Sequence, residues 1–210
     1  MAVYSPEMVL SKNRKCGCSL NLPIIGHCRP TRNCIICCYA RSGHTSLPVS
    51  MRKQKWLSKY LEGKNISRLI EESSQWRAVR VAGTGDLKAT HIPALFSLAK
   101  ACPGTMFWGM TRKLEIAHEL NHRYPNLKFM VSVDGSSPDS VWNYDGVLCY
   151  GPRLPRDLVP ADRRIQTVFP YHRSGRVVNG MPHHPKDCQA VWHNISGCMV
   201  CGRCWAWKGA

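Results

Sequence analysis

The chain has 210 residues, 29 Lys and Arg against 13 Asp and Glu for a formal net charge of +16, and 12 Cys. That length holds one substantial core with a small appendage and excludes two ordinary domains. No stretch approaches the ~20 apolar residues that span a bilayer, and no apolar run precedes a plausible cleavage site, so the expectation is a soluble cytoplasmic protein without a membrane partner. In that reducing compartment the thiols are not expected to be stored as disulfides, and their clustering points to metal or redox chemistry.

In chain order, short β-rich runs occur at 19–25 (SLNLPII), 77–83 (RAVRVAG), 106–111 (MFWGMT), 127–134 (LKFMVSVD), 146–150 (GVLCY) and 165–170 (IQTVFP). Segments with helical period lie between them at 50–62, 66–75, 91–102 and 113–124, with a short one at 138–144. Strand then helix, repeated, predicts a parallel sheet, and right-handed crossovers would curl six such units into a partial (β/α)6 barrel over residues 1–170. In such folds ligand groups gather at the carboxyl ends of the strands. The cysteine loop follows the first run, Gly83-Thr84-Gly85-Asp86 the second, Thr111-Arg112-Lys113 the third and Asp134-Gly135-Ser136 the fourth. Residues 171–210, rich in Gly, His, Cys and Trp, show no helical period and read as a Cys-rich segment ordered by metal.

Two cysteine groups carry the chemistry. Cys198, Cys201 and Cys204 form C-x2-C-x2-C, with Cys188 ten residues upstream. Thiolates three apart on a tight loop wrap a compact inorganic core, and a distant fourth closes the coordination, which favours a [4Fe–4S] cluster over the paired C-x2-C spacing of a four-cysteine zinc site. Near the other end, Cys28, Cys34 and Cys38 form C-x5-C-x3-C, with Cys37 competing for the last place. Three thiolates hold a cubane and leave one iron without a side chain, unless Cys16 or Cys18 supplies a fourth. Two dicationic clusters on seven thiolates would lower the net charge to roughly +13. The excess survives, so a nucleic-acid partner is expected, against the plain alternative of a basic soluble surface.

SLNLP, CYARSG, RVAGTGDL, FWGMTRK, SVDGSSP and GCMVCGRCW occur in this order along the chain. Together they resemble the phage "gene product 88" family and, more broadly, the radical S-adenosylmethionine (SAM) superfamily. The resemblance implies a partial barrel whose Cys28, Cys34 and Cys38 hold a [4Fe–4S] cluster that SAM chelates at the open iron. It also implies that Gly83, Thr84, Gly85 and Asp86 receive the SAM amino group, that Ser132 and Asp134 contact its ribose and carboxylate, and that Cys188, Cys198, Cys201 and Cys204 hold a second cluster. The implied activity is reductive cleavage of SAM to modify a nucleic acid or nucleotide, in the cytoplasm of a phage host. The alternative is a non-enzymatic iron–sulfur protein that uses the barrel as a scaffold to engage nucleic acid or transcription machinery. The loop is longer than the superfamily's usual C-x3-C-x2-C. No Walker loop or complete dinucleotide fingerprint is present, and Asp86 with Asp134 as an acid–base couple is the weaker reading of those carboxylates.

Overall fold

A computed structural model of the chain describes residues 6–13, 17–41, 43–134, 137, 147–150 and 165–169. Among the described residues seven strands form one sheet in the order in which they occur in the chain: β1 Ser11–Asn13, β2 Gly17–Leu20, β3 Ala78–Val81, β4 Met106–Thr111, β5 Leu127–Val133, β6 Val147–Tyr150 and β7 Ile165–Phe169. β1 pairs antiparallel with β2, and every later neighbour is parallel. The helices are α1 Arg32–Cys37, α2 Pro48–Glu62, α3 Ser67–Ser74, α4 Ile92–Ala101 and α5 Leu114–Arg123. The expected parallel α/β architecture is present, with all six anticipated strands. The anticipated segment at 138–144 and the Cys-rich segment at 171–210 lie outside the described residues.

Alternation along the strands sets the two faces of the sheet. Val79, Val81, Phe107, Leu127, Phe129, Val131 and Val133 join the helical residues Leu57, Leu61, Leu69, Leu95, Leu98 and Leu120 in one apolar cluster. The helices that connect consecutive strands pack side by side on that face, α3 against α4 and α4 against α5. Gly109 belongs to the close packing of this layer, because a Cβ there would sit 2.5 Å from the Val81 carbonyl oxygen and 2.8 Å from the Phe129 ring. The opposite face carries Arg80, in register with Trp108 across the ladder, with the guanidinium carbon 5.5 Å from the indole centroid.

α2 starts with Pro48 in its first turn and ends against Gly63, both ordinary helix punctuation. Its buried side chains Gln54, Leu57, Ser58 and Leu61 fall on one stripe at helical spacing. β1 has no apolar alternation to announce it. It lies at the sheet edge, and the backbone just before it is fixed by the Glu72 carboxylate, which accepts the Val9 and Leu10 N–H groups at 2.9 and 2.8 Å.

Candidate functional site

The carboxyl ends of β2 to β5 are joined by a belt of buried polar bonds. Asp86, just past β3 and 3 % exposed, accepts from its neighbour Leu87 N–H at 2.7 Å, from Thr111 Oγ1 at 2.6 Å and from Arg112 N–H at 3.2 Å. Burial raises its carboxyl pKa; the Thr111 hydrogen bond and the charge of Lys113 oppose that rise. The Lys113 ammonium, itself buried, donates to the His27 carbonyl at 2.6 Å and to the Leu87 carbonyl. Arg112 continues the belt to β5: Nη2 lies 3.0 Å from Asp134 Oδ2 and Nη1 3.4 Å from the Ser132 carbonyl oxygen. Asp134 also accepts from the Thr31 hydroxyl, whose oxygen in turn caps α1 by accepting the Cys34 N–H at 3.2 Å.

The cysteine loop sits on this belt. Cys28, Cys34 and Cys38 are all half-buried and free. Burial, followed by the charges of Asp86, Cys34 and Cys38, pushes the Cys28 thiol up to about 12. Burial also raises Cys34, while the adjacent Arg112 guanidinium pulls it back down. Among the described residues no three His, Cys, Asp or Glu side chains are grouped to hold a single metal ion. Cys18 is elsewhere: it lies in the apolar core near the start of β2, with Sγ 3.7 Å from the Ala78 carbonyl oxygen. Cys102 is likewise a core residue. Cys16, Cys188, Cys198, Cys201 and Cys204, and the Cys37 side chain, lie outside the described residues.

The structure places Gly83, Thr84 and Gly85 against the segment that follows β2. Gly83 N–H donates to the Leu20 carbonyl at 2.9 Å, Leu22 N–H to the Thr84 carbonyl at 2.9 Å, and Thr84 Oγ1 to the Leu22 carbonyl at 3.2 Å. The space that each glycine leaves is taken up inside the protein. A Cβ at Gly83 would lie 2.4 Å from Asn21 Oδ1, and one at Gly85 2.3 Å from the Leu22 and Pro23 carbonyl oxygens.

Sequence reasoning did not find the second buried network, below the loop. His27 Nδ1 is 3.1 Å from the Asp86 carbonyl oxygen, Ser58 Oγ is 3.2 Å from His27 Nε2 and 3.1 Å from His91 Nε2, and Lys88 N–H donates to His91 Nδ1 at 3.3 Å. These partners assign the tautomers. His27 carries its proton on Nδ1 and His91 on Nε2, so Ser58 donates to the first ring and accepts from the second. The network ties the cysteine loop to α2 and to the turn after β3. Its only sequence signal is that His27 directly precedes Cys28; nothing in the spacing pairs it with His91.

Burial, then the neighbouring His27 ring, depress the His91 pKa from 6.5 to about 4. The unfolded chain therefore takes up this proton more readily than the folded one. The stability contributed by the neutral ring is complete above about pH 6.5 and is lost as pH falls towards about 4. We expect urea denaturation to show roughly 2–3 kcal/mol of this loss between about pH 7.5 and 4.5. The His91→Gln variant should show a correspondingly flatter dependence, and parallel pH profiles for the two proteins would refute the assignment.

The sequence pattern of the family described as Gene product 88 matches residues 7–206. The chain belongs to that family. The match takes in both cysteine groups and the belt residues. No curated protein and no solved structure matches the chain. No helix among the described residues is long and apolar enough to cross a membrane.

Proposed function

We propose that the protein is an iron–sulfur protein in which Cys28, Cys34 and Cys38 hold a [4Fe–4S] cluster at the carboxyl edge of a sheet curled as a partial barrel. The observation that carries this reading is the placing of three half-buried thiols in one loop on the end of the sheet where parallel α/β proteins bind ligands. The donor set suits the group. Soft thiolates match iron–sulfur cores, a cubane spaces its ligands more widely than a single ion does, and Arg112 and Lys113 offset the anionic charge of a three-thiolate cluster. We assign an auxiliary cluster to Cys188, Cys198, Cys201 and Cys204 on their spacing.

A three-thiolate cluster leaves one iron for an outside ligand, and with SAM there it would supply the electron for a radical reaction on a nucleic acid or nucleotide. In that reaction Gly83, Thr84, Gly85, Asp86, Ser132 and Asp134 are the candidate SAM contacts. A specific observation favours the second, non-enzymatic reading. The Asp86 and Asp134 carboxylates are already bonded to Thr111, Arg112 and Thr31, and the Cβ side of Gly85 faces the Leu22 and Pro23 carbonyls. In this reading the belt holds the cysteine loop in place, and the cluster is structural or redox-sensing.

Iron, sulfide and zinc content of anoxically purified protein tests the common part. Cys34→Ala and Cys201→Ala are each expected to remove about four irons, one cubane's worth, of about eight. Colourless protein with stoichiometric zinc and no iron would sink both readings. Electron paramagnetic resonance of the reduced protein then separates them: a spectral change on adding SAM, with release of 5′-deoxyadenosine, selects the enzyme.

A further inference from the structure

Between the cysteine loop and α2 lies a cavity of about 970 Å³, at the upper end of the ~300–1,000 Å³ typical of small-molecule sites. Its walls are largely apolar. Pro23, Ile24 and Ala40 line it from the loop side and Trp56 from α2, while Ile25 and Met51, 84 % and 37 % exposed, stand at its rim. An isoleucine so exposed on a largely apolar rim is poor surface design for a cavity that holds only water; the Trp56 ring stacks on Tyr60, centroids 4.7 Å apart, and shares the lining.

The charges around the cavity are predominantly positive. Arg52, Lys55 and Lys59 stand at i, i+3 and i+7 on the α2 face away from the core, and Arg41 joins them from the loop. All four are exposed, and among the described residues none of the three α2 cations has a carboxylate partner. The one acid lining the cavity, Glu62, is already bonded to Lys88 at 3.3 Å and Thr90 at 3.1 Å. Like charges at such spacings destabilise a helix, and a bound anion removes that repulsion. Apolar walls with an aromatic ring, edged by unpaired cations, match a flat base joined to phosphate.

We propose that this cavity binds a nucleotide unit, with its base against Trp56 and Ile25 and its phosphate on Arg52, Lys55 and Lys59. The unit is either a free nucleotide or part of a single strand, since a duplex hides the faces of its bases. The proposal does not rest on the cluster assignment, because none of these residues is a thiolate ligand.

The test uses the full chain purified anoxically and a short labelled single-stranded DNA oligonucleotide, followed by fluorescence anisotropy. On a strand, whose adjoining phosphates let Arg52, Lys55 and Lys59 each neutralise one, a slope of about −0.7 per phosphate predicts an affinity that falls about twentyfold between about 50 and 200 mM salt. The triple variant Arg52→Glu/Lys55→Glu/Lys59→Glu is expected to bind on the order of a hundredfold more weakly. The charge-matched control Lys64→Glu/Lys100→Glu/Arg123→Glu, made at exposed cations off the cavity, is expected to retain most of the affinity. Should the triple variant lose its circular dichroism, Lys55→Ala alone is expected to reduce the salt slope by about 0.7. Displacement of the oligonucleotide by adenosine monophosphate assigns the site to free nucleotides, and no displacement assigns it to the polymer. Equal weakening by the control, equal or tighter binding of the duplex, or no binding of either probe at low salt would overturn the proposal. Iron content of the triple variant is expected to match wild type, so loss of binding and loss of the cluster are read separately.

Discussion

Replacement of Asp86 by alanine is expected to destabilise the protein by about 3–5 kcal/mol, measured by urea denaturation at neutral pH. The carboxylate is the common acceptor for Leu87 N–H, Thr111 Oγ1 and Arg112 N–H, and it faces the buried Lys113. Alanine removes the acceptor and leaves all three donors, and the cation, in a site closed to water. Asp86→Asn keeps part of the accepting capacity without the charge, so its loss should be smaller. Thr111→Val should cost less in the Asp86→Ala background than in the wild type, since the hydroxyl's acceptor has already gone and only the Lys113 N–H, at 3.1 Å, still depends on its oxygen. A cost below about 1 kcal/mol for Asp86→Ala would show that the carboxylate is not the keystone of the belt. The same variant, if it still folds, reports on function: a purely positioning Asp86 gives weaker cluster retention in proportion to lost stability, whereas a SAM contact gives loss of the SAM-induced spectral change at full iron content.

The second large effect is at Gly85. Its φ of +70° lies in the left-handed region, which costs a residue with a Cβ roughly 1–2 kcal/mol. The added carbon would also meet two backbone carbonyl oxygens at 2.3 Å, and these belong to the segment that the Thr84 bonds hold in place. We expect Gly85→Ala to cost about 3 kcal/mol or more in all. Gly26 is the control: its φ is +75°, yet a Cβ there meets nothing within 4 Å. Gly26→Ala is expected to cost only the backbone part, and similar losses at the two positions would mean that close packing of the turn against Leu22 and Pro23 is not what requires glycine.

The parallel sheet was legible because its strands are short apolar runs separated by helices of clear period, and each anticipated run contains or overlaps a strand. The first run shows where that signal misleads. Residues 19–25 look like one strand, but β2 ends at Leu20. Leu22 is buried by packing beside the Thr84 turn, and Ile25 points into solvent at the cavity rim, so apolar content there serves a loop and a cavity instead of a ladder. β1 went unseen because an edge strand of Ser, Lys and Asn has nothing to alternate, and α1 because its six residues fall inside a stretch read for its thiols. At the site, the sequence placed the acidic turns correctly at strand ends. It could not show that Asp86 is satisfied by a threonine 25 residues away or Asp134 by Arg112, since only the fold brings those groups together.

Strand order that follows chain order also governs how the protein can be made. As each strand leaves the ribosome its pairing edge is already present, so the sheet can grow vectorially without waiting for a later strand to slot between earlier ones. The cysteine loop is the exception. It emerges early, yet Lys113 grips it across 86 residues of sequence and Asp134 across 103. Its thiols therefore stay accessible until translation has passed the fifth strand, and the belt closes around them only then.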